Sequence, residues 1–398
     1  DNVVPCDDGV SCTTAACRDG DCAGVPALWS RVIPTVSSGS PRILLPRGAG
    51  IVMGGAGGGY GSTLVTGLTA AGNIAWTRVF STNSPALRGG HAWEGGTVFT
   101  GYVKLGGDGQ GWALKLNDAG TPLWEKSFGG AGEDDLVDVA ALGGGSIAVG
   151  WTRSKGAGQR DAWLVRLDTD GNLLWDKAVG TTGSDEATAV AASPTGFVVA
   201  GFQEPTSTCG VGWIGWFQSN GDFLTEATWA APYCSPQPSA IRVTPDAVQL
   251  VVAYDDALVR FGPDGGFLAI QDLATAAAAN YRHNQFASDG ILSYGVGAGD
   301  SGVLTRFGLH GERLWERTLP PGSVGSLRIV AATATGIFVA DTVPHTVHPE
   351  YWTDTRVSRL DAFGNDDCAT AGACSDGPVT ACADGSPCTL DLCTAALS

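Results

Sequence analysis

The chain has 398 residues, including 59 glycines and 20 prolines, and only 16 % of its residues are charged. Its formal net charge of −17 at pH 7 argues against nucleic acid or an anionic membrane as a partner, because both favour clustered lysine and arginine. No apolar run approaches the roughly 20 residues that a membrane span needs, so we expect no membrane span.

Residues 1–26 contain too few apolar side chains for a core, and they carry four cysteines: Cys6, Cys12, Cys17 and Cys22. We expect disulfides to hold this segment. Zinc is the alternative, but the spacings lack the close Cys-x-x-Cys pairs of a zinc finger. The segment resembles the short slime-mould repeat of extracellular matrix proteins, which implies an oxidising compartment. No signal peptide precedes it, so we interpret Asp1 as a processed N-terminus.

A short strand containing a tryptophan, ALWSRVI at residues 27–33, comes next. The chain then repeats a unit of four short runs of β character, which is clearest in Asp161 to Phe202. A tight turn before the last run needs a residue at positive φ, which glycine adopts at little cost. Such glycines recur 44 to 53 residues apart, at Gly72, Gly120, Gly171, Gly221, Gly265, Gly311 and Gly364.

Seven turns at this period predict an all-β fold, a seven-bladed β-propeller with four strands in each blade. The run DAWLVRLDTDGNLLWDKAV at residues 161–179 is similar to the bacterial extracellular propeller repeats of the form DAWLVKLDxxGNLLWxK. This resemblance covers residues 27–366, closely in blades three and four and weakly in blades five and six. It implies a secreted protein, at the cell surface or outside the cell.

The seventh blade lacks a fourth strand, because the sequence supplies only residues 326–333, 337–343 and 355–362 for it. We predict that the strand at residues 27–33 completes this blade and closes the ring, pairing edges that would otherwise lie open. The residues expected to make this closure are Leu28, Trp29, Val32 and Ile33.

The predicted topology also determines which connections share a face. With strands numbered from the channel outward, the loop between the second and third strands lies on the same face as the connection to the next blade. Cys209 and Cys234 occupy these two places in and after blade four, so we expect a disulfide between them. The two chain ends leave side by side from the opposite face, because one precedes the fourth strand and the other follows the third strand of one blade.

Residues 367–398 form a second cysteine-rich segment, with Cys368, Cys374, Cys382, Cys388 and Cys393. The run from Cys382 to Cys393 repeats the first segment in register but stops one cysteine short. The chain therefore has eleven cysteines, an odd number. Full oxidation would leave at least one sulfur without a partner in the same chain.

Two connections between blades are acidic, with Glu133, Asp134 and Asp135 in one and Ser184, Asp185 and Glu186 in the other. Calcium would require several of their oxygens to converge. We favour the alternative that these carboxylates accept hydrogen bonds from turns, and we expect no cofactor. His345 and His348 lie in a proline-containing loop, and His91, His283 and His310 are isolated, so a metal site is not expected.

Five tryptophans occupy one position of the repeat and are expected to pack between sheets: Trp29, Trp76, Trp124, Trp175 and Trp315. Three others, Trp151, Trp213 and Trp216, fall outside that register. Packing is again the favoured interpretation for them, with contact to a sugar as the alternative.

No nucleophile, phosphate-binding or metalloprotease motif occurs in the sequence, so we do not expect an enzyme. The leading hypothesis is a secreted structural protein whose copies assemble head to tail through the cysteine-rich ends into an extracellular filament or layer. The second is an adhesin-like binding module for carbohydrate or a surface protein on the loop face. The third is a propeller hydrolase or lyase, whose catalytic residues would come from several blades and leave no motif in the sequence. The fold alone does not decide among these three hypotheses.

Overall fold

The computed structural model describes residues 15–18, 21–24, 29–33, 40–57, 61–93, 95–204, 210–230, 236–253, 257–273, 280–287, 290–296, 302–318, 329–333, 336–344 and 353–360. The regular elements in these ranges are β-strands. The described residues include no helix that is long and apolar enough to cross a membrane. Strands β1 (Ala15–Arg18) and β2 (Asp21–Gly24) form a two-stranded hairpin. The other described strands form seven four-stranded antiparallel sheets.

The first three of these sheets follow one another along the chain. Sheet 1 comprises β4 (Ser40–Arg47), β5 (Gly50–Ala56), β6 (Thr63–Leu68) and β7 (Ile74–Phe80). Sheet 2 comprises β8 (Ala86–Trp93), β9 (Gly96–Leu105), β10 (Asp108–Asn117) and β11 (Pro122–Phe128). Sheet 3 comprises β12 (Asp134–Leu142), β13 (Gly145–Thr152), β14 (Asp161–Asp168) and β15 (Leu173–Val179).

The next three sheets repeat this order. Sheet 4 comprises β16 (Ser184–Ser193), β17 (Gly196–Glu204), β18 (Val211–Gln218) and β19 (Phe223–Trp229). Sheet 5 comprises β20 (Gln237–Val243), β21 (Val248–Ala253), β22 (Ala257–Phe261) and β23 (Phe267–Asp272). Sheet 6 comprises β24 (Asn280–Ala287), β25 (Gly290–Val296), β26 (Gly302–Phe307) and β27 (Arg313–Thr318).

Sheet 7 joins the two ends of the propeller sequence. Its strands are β28 (Ile329–Thr333), β29 (Gly336–Pro344), β30 (Thr353–Leu360) and, as the fourth strand, β3 (Trp29–Ile33). The backbone register pairs Trp29 with Arg359 and Ile33 with Thr355. The strand pairing predicted for residues 29–33 is therefore present, while Leu28 lies outside the described residues.

The sheets contact one another through their first strands, which we call the inner strands. Each inner strand contacts that of the next sheet, and β28 of sheet 7 contacts β4 of sheet 1, so the order of neighbours returns to its start. The fourth strands, which we call the outer strands, lie at the far edge of each sheet. This arrangement is a β-propeller-like packing of antiparallel sheets.

The burial of side chains depends on the position of the strand within its sheet. The second and third strands are apolar on both faces, as in GSIAVGWT of β13, because sheets pack on both sides of them. The outer strands alternate between partly buried and exposed residues, as in β7. The core is consequently divided into clusters that lie between successive sheets, such as the one that joins Leu164 of sheet 3 to Phe197 of sheet 4.

A tryptophan on the outer strand of one sheet packs its ring against a turn glycine of the next sheet. A Cβ added at Gly171, where φ is 76°, would lie 2.6 Å from the Trp124 ring of the preceding sheet. Nε1 of Trp124 donates a hydrogen bond to the carbonyl of Thr169 in the same turn, at 2.9 Å. The same contact joins Trp29 to Gly72, Trp76 to Gly120 and Trp175 to Gly221. The packing role predicted for these four tryptophans is confirmed.

Trp29 makes that contact between sheet 7 and sheet 1. Its Nε1 donates to the carbonyl of Ala70 at 2.8 Å, and its ring centroid lies 6.0 Å from that of Phe338. Ile33 is 1 % exposed in the core between these sheets, whereas Val32 is 42 % exposed. The short strand at the start of the chain thus contributes both backbone pairing and buried surface.

Candidate functional site

Two faces of the sheets are defined by their connections. We call the face with the first-to-second and third-to-fourth turns the turn face. The opposite face, with the second-to-third loops and the connections between sheets, is the loop face. Both chain ends meet the propeller at the turn face, because β3 begins and β30 ends there, with Trp29 paired to Arg359. The predicted exit of the two ends side by side is therefore present at residues 29 and 360.

On the loop face, two aspartates at the start of inner strands hold their own connections. Asp134 accepts hydrogen bonds from the hydroxyls of Thr152 and Ser154 and from the backbone N–H of Gly130. Asp185, at the same position of sheet 4, accepts from the backbone N–H and hydroxyl of Thr181 and from another backbone N–H. The favoured interpretation of these two carboxylates, as acceptors that order turns, is confirmed.

The acidic residue after each of these aspartates instead binds an arginine. Nε of Arg88 on β8 donates to Oδ2 of Asp135 at 2.9 Å, across the contact between sheets 2 and 3. Arg160, in the connection before β14, pairs with Glu186 on β16. Two ion pairs therefore bridge three consecutive sheets at the loop face.

Each of these arginines also lies over an aromatic ring. The guanidinium carbon of Arg88 is 5.2 Å from the ring centroid of Tyr102, and that of Arg160 is 4.1 Å from the ring of Trp151. Such stacking and ion pairing fix the plane of a guanidinium group. The arginine side chains remain about one-third exposed, at 36 % and 32 %. They therefore present oriented N–H donors to solvent, which suits recognition of carboxylates or other oxygen-rich groups.

The carboxylate of Asp135 is buried, which disfavours its charged form. Burial raises the pKa of Asp135, the paired Arg88 opposes the rise, and the negative charge of Glu186 adds to it. Oδ1 of Asp135 is buried and has no hydrogen-bond partner. The cluster formed by Arg88, Tyr102, Asp135, Trp151, Arg160 and Glu186 is our candidate functional site, and we call it the loop-face cluster.

The other two residues of the acidic connections, Glu133 and Ser184, have partners of their own. Glu133 pairs with Arg153 at 3.3 Å, and Ser184 is paired through the backbone with Glu204. Among the residues that the structure describes, no group of three or more His, Cys, Asp or Glu side chains converges as a metal site requires. His91 is partly buried, which lowers its pKa, and His310 lies 3.2 Å from Nη1 of Arg260. The side chain of His283, and all of His345 and His348, lie outside the described residues.

The tryptophans outside the repeat register divide into two kinds. Trp213 and Trp216 are 0 % and 4 % exposed and belong to the core, as the favoured interpretation predicted. Trp151 is half-buried beneath Arg160 in the loop-face cluster.

Two of the candidate disulfide cysteines lie in a described element. Cys17 and Cys22 are directly paired residues of the β1–β2 hairpin. Antiparallel partners have Cα atoms about 4.5–5.5 Å apart, within the range that a disulfide spans. The other nine lie outside the described residues: Cys6, Cys12, Cys209, Cys234, Cys368, Cys374, Cys382, Cys388 and Cys393.

The outer strands expose apolar side chains near the turn face. In several sheets the residues just after the glycine turn are about half exposed, and large apolar residues recur there: Ile74, Leu123, Leu173, Leu174, Phe223, Leu224, Phe267, Leu268 and Leu314. These residues lie on the outer strands of six different sheets.

Sequence reasoning did not identify the arginines of the loop face. Six inner strands have a β-bulge at the same position, and three of the bulged residues are arginines: Arg42, Arg88 and Arg282. The signal was an arginine as the third residue of the inner strand, which occurs in three of the six bulged strands. It is visible in the sequence only after the inner strands have been aligned by their bulges.

No family model and no curated protein matches the chain. Solved propeller structures do match it. A virginiamycin B lyase from Staphylococcus aureus is 11 % identical with a TM-score of 0.57, over 84 % of this chain and 99 % of that one. The Myceliophteria thermophila Cps50 (Swd1) beta-propeller domain is 10 % identical with a TM-score of 0.53, over 83 % and 99 %. At such identities the likeness establishes the β-propeller fold alone.

Proposed function

We propose that the protein is a secreted structural protein that assembles head to tail, through its cysteine-rich ends, into an extracellular filament or layer. The observation that carries this proposal is the position of the ends. Residues 29 and 360 lie at the same end of sheet 7, which supports a common face of departure for the segments at residues 1–26 and 367–398. A contact made by one face with a different face of the next copy propagates unless its rotation closes a ring.

The proposal includes a closed ring of seven blades, each made of one of the seven sheets. The return of the inner-strand contacts from sheet 7 to sheet 1 supports it. It also includes membership in the extracellular propeller repeat family and disulfide cross-linking of both ends, with Cys17 bonded to Cys22. An odd cysteine then remains for a bond between copies.

Electron microscopy of native material tests this function directly. We expect ordered polymers whose repeat along the axis matches the thickness of one propeller, and whose length falls when reductant is added. Dispersed single rings in native material, at the concentration found on the cell surface, would contradict it.

A second candidate function rests on the loop-face cluster. Oriented guanidinium groups, carboxylates and half-buried rings are the groups with which proteins bind saccharides or a polar protein surface. The test is a glycan array probed with the full chain and with Arg160→Ser. Binding that the substitution abolishes would favour an adhesin-like module. A hydrolase or lyase ranks third, because both acids of the cluster are already paired with arginines.

A further inference from the structure

The loop-face cluster brings its two guanidinium groups together through one pair of backbone neighbours. Asp135 on β12 is directly paired with Trp151 on β13, which places their Cβ atoms about 5 Å apart on one face of sheet 3. Nε of Arg88 donates to Asp135, and the guanidinium carbon of Arg160 lies 4.1 Å from the centroid of the Trp151 ring. The two arginines therefore contact adjacent side chains of the same sheet.

Arg160 is held in this position by both its backbone and its side chain. It forms a β-bridge with Ser184, and the N–H of Asp185 donates to the Arg160 carbonyl at 2.9 Å. Its guanidinium group pairs with Glu186 on the same inner strand, β16. The cluster is therefore organised before any molecule binds to it, which lowers the entropy lost on binding.

Several polar groups of the cluster have no hydrogen-bond partner within the described residues. Oδ1 of Asp135 and Nε of Arg160 are buried without one, and the Nη groups of Arg88 donate no hydrogen bond. The side chain of Arg88 is 36 % exposed, whereas that of Asp135 is 4 % exposed. The cluster thus combines unused donors, some of them on a partly exposed side chain, with an unused acceptor below the surface.

The formal charges of the cluster cancel, because Arg88 is paired with Asp135 and Arg160 with Glu186. Burial raises the pKa of Asp135, and the negative charge of Glu186 raises it further, so the two carboxylates already repel each other. A bound anion would add a third negative charge beside them, and the net charge of −17 would repel it at longer range. A bound cation would lie beside two arginines. An uncharged molecule avoids both repulsions.

We propose that the loop-face cluster binds an uncharged saccharide through adjacent hydroxyl groups. This inference rests on the second candidate function, saccharide binding at the loop face, and names the class of saccharide. A hydroxyl group both donates and accepts hydrogen bonds. Adjacent hydroxyls can therefore accept from the Nη groups of Arg88 and donate towards Oδ1 of Asp135, directly or through one water.

The first test compares neutral and acidic sugars on the unchanged full chain. Galactotriose, cellotriose and mannotriose are titrated by calorimetry, each beside a uronic acid trisaccharide of the same sugar series. We expect at least one neutral trisaccharide to bind, at least tenfold more tightly than its acidic counterpart. An acidic counterpart that binds equally or more tightly would overturn the uncharged class.

The second test asks whether the sugar lies on the cluster. Arg88→Lys keeps the positive charge but removes the paired N–H donors. The matched control is Arg153→Lys, because Arg153 is also paired with an acid at the loop face, Glu133, and lies outside the cluster. We expect Arg88→Lys to weaken binding of the tightest neutral trisaccharide at least tenfold, and the control to change it less than twofold. Equal affinities for the two variants would overturn the assignment to the cluster.

A third measurement does not depend on how the variants fold. Crystals of the unchanged chain are soaked with the neutral trisaccharide that binds most tightly. We expect sugar hydroxyl oxygens within about 3.2 Å of the Nη groups of Arg88, and one that reaches Oδ1 of Asp135 directly or through a water. A trisaccharide bound only elsewhere on the chain would contradict this contact.

The outcomes separate this inference from the function on which it rests. If no sugar of the glycan array binds, the second candidate function is wrong for saccharides and the inference fails with it. If acidic glycans bind and Arg160→Ser abolishes their binding, the function stands and only the uncharged class is wrong.

Discussion

A single glycine in each turn determines how the sheets fit together. Gly171 is at φ 76°, a left-handed conformation that costs other residues about 1–2 kcal/mol, and its missing side chain leaves room for the Trp124 ring. The tryptophan can then donate its indole N–H to the carbonyl of Thr169, which satisfies the donor. The same contact is made by four glycine–tryptophan pairs in the chain, which explains why the two residues recur together in the repeat.

Gly171→Ala should destabilise the protein by about 3 kcal/mol, because it adds a steric clash with Trp124 to the strain of positive φ. The matched control is Gly48→Ala, at φ 59°, where no atom lies within 4 Å of the added Cβ. We expect about 1 kcal/mol there. Chemical denaturation of both variants measures the difference, and equal losses would show that the tryptophan contact adds nothing.

Asp138 joins two inner strands with one carboxyl group. Its two oxygens accept hydrogen bonds from the backbone N–H groups of Val139 at 2.8 Å and Val190 at 2.9 Å, the latter in the next sheet. Burial nevertheless raises the pKa of Asp138 to about 6, and these two hydrogen bonds limit the rise.

This residue should make stability depend on pH. Because the pKa is higher in the folded state, stability from this group is greatest below about pH 4 and is lost as pH rises through about 6. We expect Asp138→Asn to remove that loss, so that wild type falls by up to about 3 kcal/mol relative to the variant between pH 4 and 7. Urea unfolding at four pH values measures it. Parallel curves for the two proteins would contradict the assignment.

At the scale of elements, the outer strand β3 makes three kinds of contact with only five residues. It supplies the fourth strand of sheet 7, buries Ile33 and places Trp29 against the turn of sheet 1. Without it, β30 would present an unpaired edge.

Deleting residues 1–34 should therefore lower the free energy of unfolding by several kcal/mol, since a whole strand of backbone pairing and packing is lost. Deleting only residues 1–26 keeps β3 and should cost about 1 kcal/mol or less. Thermal melting of the two truncated chains beside the full chain distinguishes them. A 1–34 deletion that melts like the full chain would show that β3 does not close the propeller.

The bridge between Cys209 and Cys234 remains a prediction. Both residues lie outside the described ranges, but the strands that flank them, β17 to β20, place both connections on the loop face. We expect peptide mapping without reductant to recover the two cysteine peptides linked, and the link to add roughly 2–4 kcal/mol of stability. Recovery of both as free thiols would exclude it.

The elements that could be predicted from the sequence are those set by local chemistry. The glycines at six described turns have φ between 74° and 88°, as a tight turn requires, and the strand at Trp29 pairs as its resemblance to the other tryptophan strands predicted. The loop-face cluster was missed because its members come from three sheets. Asp135 was noticed only as part of an acidic loop, and its partner Arg88 lies 47 residues earlier.

At the scale of the whole molecule, the two faces have different chemistry. Strand β3 begins and strand β30 ends at the turn face, which also has exposed apolar residues such as Leu174 and Phe223. The loop face carries Arg88 and Arg160, which are oriented by carboxylates and aromatic rings. Under the proposed head-to-tail assembly, contact between these two unlike faces would repeat in one direction and give a filament unless it closed a ring.

Removal of residues 367–398 tests this account most directly, because it removes the C-terminal segment and leaves every described strand in place. The full chain and the truncated chain are compared by sedimentation velocity and electron microscopy at matched concentrations without reductant. The account predicts polymers from the full chain and a folded monomer from the truncated one. A full chain that sediments as a monomer at high concentration, with one alkylatable cysteine, would contradict it.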